Sequence, residues 1–567
     1  MRDFAIPDST ETEAPAAGTG LRMRVAHLLA AVGGALLAWL ALTYAVSCAT
    51  LYFGLGVSAL TAPVCLLAMP LAAYAIVAGD GVRRVWLTML ACVLASALIG
   101  GAGWQASRAY DHSWDGASYH QEAIIQMAEA WADFPAPLPT TVRYGDWIDT
   151  YAKGPWVIAA SLYKATGSLE SALLMQGVFA CIGLLLLASA LLRCAAFPVW
   201  AVPLLALPAA FNPVTIYQSL SFYIDGQMTS LLVALVGVGL WLLTAPRRWQ
   251  LVLVAALIVL AINVKQTGIA FAGLLLLAVL FCLWRLRREW FRRTFIACAI
   301  GGVLGGLAFG YSPYVLNTLK HGHPFYPILG NGDFDIAQGQ RPPGFDERNR
   351  FSRLLVSSFS APTLAKQAAA EWRLPFAWRA DDAARYRGAD VRIGGWGIWF
   401  SGALVLAVVG LLGLRRVAGA PRIVGGAVLV ALLAATAINP EAWWARYHPL
   451  WFFVPVVIAG MLLCAHQRSA RLLGAMVAAV LLANSLLVAA YYYPQQHQLS
   501  EFQRQYLAEL RAAGYPIVVW FGAFPSNRIR LRDAGIAYYE VNDAARLPCT
   551  QPQRIFAHEG LYCMVAR

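Results

Sequence analysis

The sequence predicts an α-helical polytopic membrane protein. Three observations carry this: 59% of the 567 residues are hydrophobic and only 13% charged, the mean hydropathy is +0.58, and long apolar windows recur along the chain. A membrane-crossing helix needs roughly 20 mostly apolar residues. Composition of this kind is too apolar for a soluble globule.

About thirteen windows meet the requirement, near residues 25–52, 57–79, 84–103, 169–192, 196–211, 225–244, 248–263, 266–284, 294–314, 394–414, 422–438, 449–466 and 471–491. The weakest are 196–211, which is short and carries Pro203 and Pro208, and the close pair 248–263 and 266–284. The first window follows a polar tail, residues 1–24, and its apolar run exceeds the roughly 7–15 residues of a signal-peptide core, so it reads as a retained anchor.

Short cytoplasmic loops carry the Lys/Arg excess. With the N-terminus cytoplasmic, Arg83 and Arg84, Arg193, Arg247 and Arg248, the cluster Arg285 to Arg293, Arg415, Arg416 and Arg422, and Arg468 with Arg471 all fall on the inner side. Much of the +13 net charge is then an orientation signal, which argues against nucleic acid as a partner. Three long segments fall on the outer side: 104–154, 317–393 and 494–567.

Residues 25–493 are accordingly read as the transmembrane domain and 494–567 as a small extracytoplasmic α/β domain. In that tail 498–513 has helical periodicity and stops at Gly514, while 516–521, 536–541 and 561–565 read as strands. Eight of the ten cysteines lie in or beside apolar windows and read as packing residues. Cys549 and Cys563 both lie in the tail, where a disulfide and two free thiols are equally open.

The outer segment 104–154 is acidic, and its densest stretch runs Asp111-His112-Ser-Trp114-Asp115-Gly116-Ala-Ser-Tyr119-His120. The 111/115 spacing puts two carboxylates on one face if the segment is helical; solvated loop carboxylates are the plainer reading. Four other constellations occur at outer span ends: Lys153-Gly154-Pro155, Asn212-Pro213 through Tyr223-Ile-Asp225-Gly226, Asn263-Val-Lys265-Gln-Thr-Gly268, and Trp443-Trp-Ala-Arg446-Tyr447-His448-Pro449. Most such aromatic and basic residues are interface anchors. Lys265 is different, because it interrupts near-continuous apolar sequence and a charge at that depth faces a cavity or a partner. Lys265 and Arg446 suit an anionic phosphate, the first as a point charge and the second as a bidentate fork. His112, His120, His321, His323 and His448 share the outer side without a tight ligand pattern such as H-E-x-x-H, so a metal site is a minority reading.

In their order and shared side these motifs resemble the GT-C superfamily of integral-membrane glycosyltransferases, whose members include protein O-mannosyltransferases and lipid A aminoarabinose transferases. The resemblance covers roughly residues 85–455. It departs from those relatives in lacking adjacent acidic residues in the first loop, which leaves Asp111 and Asp115 competing for the key position; the attached Tyr119-His120 context favours Asp115. The resemblance implies transfer of a sugar, usually with inversion, from a polyprenyl-phosphate-linked donor to a lipid, glycan or protein acceptor, in a bacterial plasma membrane. It implies Asp115 or Asp111 as general base, and Lys153, Lys265, Arg446, Tyr119, His120 and Tyr447 around the donor phosphate. Relatives divide over a divalent cation, so metal dependence stays open. A transporter or flippase for a lipid-linked or anionic substrate is the rival reading, and a non-catalytic scaffold the third.

Overall fold

The computed structural model describes residues 17–78, 81–131, 133–330, 339–377, 379–555 and 560–565. Most of the polar tail read as 1–24, and part of the segment 317–393, lie outside these. The chain is mostly helical, and each of the thirteen apolar windows is occupied by helix. Eight helices are long and apolar enough to cross a membrane: Gly20–Tyr52, Gly81–Ala106, Glu170–Arg193, Asp225–Thr244, Thr267–Leu286, Arg288–Ala308, Gly419–Ile438 and Arg468–Ala513. The other windows hold shorter helices, among them Ala201–Ala210, Arg248–Val264 and Phe400–Leu411.

Local chemistry explains where several elements begin and end. Asn212 caps the helix Pro213–Gln218 by accepting from Thr215 N, with Pro213 in the first turn where its missing N–H costs nothing. The loop 439–448 is closed by Asn439, whose Oδ1 accepts from Glu441 N and whose Nδ2 donates to the Tyr447 carbonyl. At the opposite end of the bundle, arginines cap backbone carbonyls: Arg22 donates to Leu192, Cys194 and Phe197, and Arg287 to Leu243 and Thr244. Basic residues from separate loops thus gather at one end.

The last apolar window and the helix read at 498–513 form one continuous helix, Arg468–Ala513, of 46 residues. At 1.5 Å per residue it is about 69 Å long, more than twice the roughly 30 Å of a hydrocarbon core. Pro494 lies inside it without breaking it. Tertiary contacts on both sides hold the helix across that position: Tyr492 Oη accepts from Leu220 N, Tyr493 Oη accepts from Ser219 Oγ, and Gln496 donates to the Arg387 carbonyl.

The helix leads into a four-stranded mixed sheet of order β2-β1-β4-β3, where β1 is Ile517–Trp520, β2 Tyr538–Glu540, β3 Gln553–Arg554 and β4 Leu561–Met564. The strand β3 has no counterpart in the sequence reading; at two residues it is too short to show a period. Leu507 and Leu510 of the long helix pack with Ile517, Val519, Leu531 and Tyr562 into a core of its own. Cys549 and Cys563 are joined as a disulfide. This cap, the loop 104–154 and the loop 439–448 meet at the end of the bundle remote from the arginine caps.

Candidate functional site

The site is assembled around Arg446, which is 9% exposed and lies between two carboxylates. Its Nη1 donates to Asp115 Oδ2 at 2.7 Å. Its Nε lies 3.1 Å from Asp390 Oδ1, an ion pair without hydrogen-bond alignment. Three aromatic rings surround the guanidinium, with centroids 5.0 Å away at Tyr223, 4.7 Å at Trp444 and 4.8 Å at Tyr447. Aromatic faces stabilise a cation most where water is scarce.

Asp390 is also held by Trp444 Nε1 at 2.7 Å and by Arg392, 3.6 Å away, itself stacked on Trp444. A second pair lies beside the first: Lys265 Nζ is 2.6 Å from Asp225 Oδ1 and 4.5 Å from the centroid of Tyr447. Asp225 is further fixed by Gln218 Nε2 at 3.0 Å, while Gln218 Oε1 accepts from Gly226 N at 2.8 Å. Three carboxylates and three cations therefore balance within this cluster.

Burial opposes ionisation of Asp115, but Arg446 outweighs it and holds the carboxyl below its ordinary range. Asp390 goes the other way, raised by burial despite Arg446 and Arg392. His120 is buried next to Tyr119, their ring centroids 4.3 Å apart, and its Nδ1 accepts from Trp156 Nε1 at 2.8 Å. A ring that accepts at Nδ1 carries its proton on Nε2. Burial pushes His120 down to about 4 against the pull of Asp115 and Asp225, so it is a neutral donor at physiological pH.

Of the residues read from the sequence, Asp115, Lys265, Arg446 and Tyr447 come together in the cluster, with Tyr119 and His120 beside it. Asp111 does not join them. It is fully buried, with Oδ1 accepting from Ser113 N at 2.7 Å and Oδ2 from Phe222 N at 2.8 Å. Lys153 is also elsewhere, donating to the carbonyls of Asp149 and Tyr151 at 2.8 and 3.0 Å. Burial lowers it to about 7.

Asp225, Tyr223 and Trp444 stood in the quoted motifs without an assigned role, and Asp390 and Arg392 were missed. Nothing local distinguishes the latter two from any loop ion pair; 54 residues separate Asp390 from Trp444. Among the described residues, no group of three or more His, Cys, Asp or Glu side chains is arranged to hold a metal ion. His448 Nε2 is paired with Thr436 Oγ1 and His321 is stacked on Tyr326.

An apolar crevice of about 150 Å³ runs between the helices, lined by Leu232, Leu275 and Leu432 and, toward the arginine-capped end, by Leu191, Cys194 and Phe197. Leu232 is seven residues along the same helix from Asp225, a rise of about 10 Å. Comparison of the chain with protein-family models, curated proteins and solved structures finds no match.

Proposed function

We propose that this protein is a GT-C-like membrane glycosyltransferase, moving a sugar from a polyprenyl-phosphate donor to an acceptor hydroxyl on the outer face of the membrane. The observation that carries the reading is the Asp115–Arg446 contact of 2.7 Å inside a charge-balanced, aromatic-lined cluster. A carboxylate suited to accept a proton and a guanidinium suited to hold a phosphate are already adjacent.

The charge balance implies an order of events. No cation of the cluster is without a carboxylate, so a donor phosphate binds Arg446 by replacing one. Asp115 is the one to leave, because Arg446 is its side chain's single hydrogen-bond donor among the described residues, whereas Trp444 and Gln218 retain Asp390 and Asp225. Release from Arg446 raises the basicity of Asp115 as the base is needed. The acceptor oxygen then forms its bond to the anomeric carbon as the carbon–oxygen bond to phosphate breaks. The acceptor proton passes to Asp115, and the phosphate leaves as an anion stabilised by Arg446 and Lys265. One displacement inverts the anomeric centre. The apolar crevice offers a lipid-compatible surface for the isoprenoid chain.

The test is transfer by the purified protein in nanodiscs supplied with a panel of undecaprenyl-phosphate-linked and -diphosphate-linked sugars. The expected result is turnover by wild type and a loss of about 10²-fold or more in Asp115→Asn, the scale of a removed general base. Undiminished turnover in Asp115→Asn removes the assigned base. Absence of transfer across the panel, with movement of the donor between leaflets, establishes the flippase reading instead.

A further inference from the structure

We infer that the C-terminal cap is a working part of the site: Arg530, acting through Asp111, is a positioning residue that sets Asp115 against Arg446. This rests on the glycosyltransferase reading for its catalytic consequence and on geometry alone for the contact.

Arg530 lies in the cap helix Asn527–Asp533, and its side chain is 1% exposed. All three nitrogens of its guanidinium donate. Nη2 donates to the Asp111 carbonyl at 2.7 Å, Nε to Glu170 Oε1 at 3.1 Å and Nη1 to Asn527 Oδ1 at 3.0 Å. Asp111 in turn carries the restraint onward through its carboxylate, which takes the N–H groups of Ser113 and Phe222. Phe222 precedes Tyr223, whose ring lies against Arg446 and whose hydroxyl accepts from Asp115 N at 3.5 Å. Asp111 therefore joins the cap, the segment that carries Asp115, and the turn that carries Tyr223.

The surrounding contacts are also polar and directional. Ser526 Oγ donates to the Ala117 carbonyl at 2.6 Å, Arg528 Nη2 to Glu122 Oε1 at 2.8 Å, and Tyr110 N to Ser500 Oγ at 2.9 Å. The cap has its own core, which touches this segment through Tyr110, and Ile529 of the cap helix is buried in the bundle core. Burying a charge costs several kcal/mol, which apolar adhesion would avoid. What hydrogen bonds add is register, and here they converge on the residues immediately around Asp115. Arg532, half exposed and paired with Glu129, supplies a rim contact on the same helix for comparison.

The experiment compares Arg530→Gln, Arg530→Lys, Asp111→Asn and Arg532→Gln in the full chain in nanodiscs. Hydrogen–deuterium exchange of peptides covering 111–122 and 216–224 is expected to quicken in Arg530→Gln and Asp111→Asn and to remain at the wild-type rate in Arg532→Gln, whose partner Glu129 lies outside both. With undecaprenyl-phosphate-linked sugar, Arg530→Gln is expected to lower kcat by about 10²-fold, the cost of a misplaced reacting group. Donor KM stays within a factor of about three, since the phosphate cations are untouched, a change under 1 kcal/mol. The acid limb of kcat/KM moves to higher pH as Asp115 loses Arg446, and Arg530→Lys recovers part of both effects. A simple attachment role would leave that limb in place, and unchanged exchange or an unmoved limb overturns the inference. Quickened exchange in a protein whose wild type transfers no sugar retains the contact geometry and removes the glycosyltransferase reading. Should Arg530→Gln fail to fold, Arg530→Lys, which keeps the charge but cannot make all three bonds, carries the same comparison.

Discussion

Asp115 and His120 sit five residues apart, and burial favours the neutral form of both; the charges around Asp115, Arg446 first, reverse that outcome there and not at His120. Arg446 holds Asp115 ionised below the usual carboxylate range, while burial keeps His120 neutral to about 4. With Asp115 as the proposed base, active when deprotonated, kcat/KM should stay level from pH 8 to 5 and decline only beneath the ordinary carboxylate range. An inflection near pH 6.5 that vanishes in His120→Gln would show that the histidine titrates in the reaction. The two lysines separate in the same way. Lys265→Gln, which removes a cation from the cluster, is expected to raise donor KM about tenfold, equivalent to about 1.4 kcal/mol. Lys153→Gln strips a donor from two buried carbonyls, a cost of about 1–3 kcal/mol, and should lower Tm while leaving donor KM unchanged.

At the scale of elements, close approach decides which small residues the motifs require. A Cβ at Gly116 would stand 1.9 Å from Asp111 Oδ2 and 2.3 Å from Ser113 Oγ. A Cβ at Gly154 would meet the Asn263 carbonyl oxygen at 2.7 Å, so the Lys-Gly-Pro and Asn-x-Lys motifs are packed against each other. Gly116→Ala is expected to destabilise by about 1–3 kcal/mol through overpacking and to impair transfer, measured as Tm and kcat on one preparation. Both motifs were visible in the sequence as turn-like clusters, but their mutual contact was not, because Gly154 and Asn263 are brought together only by helix packing. The helix through Pro494 is a second case. Proline predicts a stop from local sterics, and contacts from Ser219, Leu220 and Arg387 override it. Pro494→Ala should raise Tm without altering the chemistry.

Across the whole molecule, the cap has a hydrophobic core of its own and is joined to the bundle by polar contacts and by Ile529, which is buried in the bundle core. The Cys549–Cys563 disulfide closes a short loop within the cap, a constraint worth about 3 kcal/mol in the chain-entropy picture. Cys563→Ser should make residues 514–565 more sensitive to protease while the membrane part keeps its resistance; equal sensitivity would show that the bond does not stabilise the cap. The sequence by itself determined the helical membrane architecture, the positions of the apolar helices and three of the four cap strands, because burial in lipid and strand alternation are written as local periodicity and length. It also marked Lys265 as a charge interrupting apolar sequence and Arg446 as a charge between aromatics in a short loop, and it left Asp111 and Asp115 competing. Only the tertiary structure decided that Asp111 is held by backbone N–H groups, that Lys153 stands apart, and that Asp390 and Arg392 complete the cluster. Ion pairing and desolvation depend on distances between segments hundreds of residues apart, as Asp115 and Arg446 are, and no local pattern encodes them.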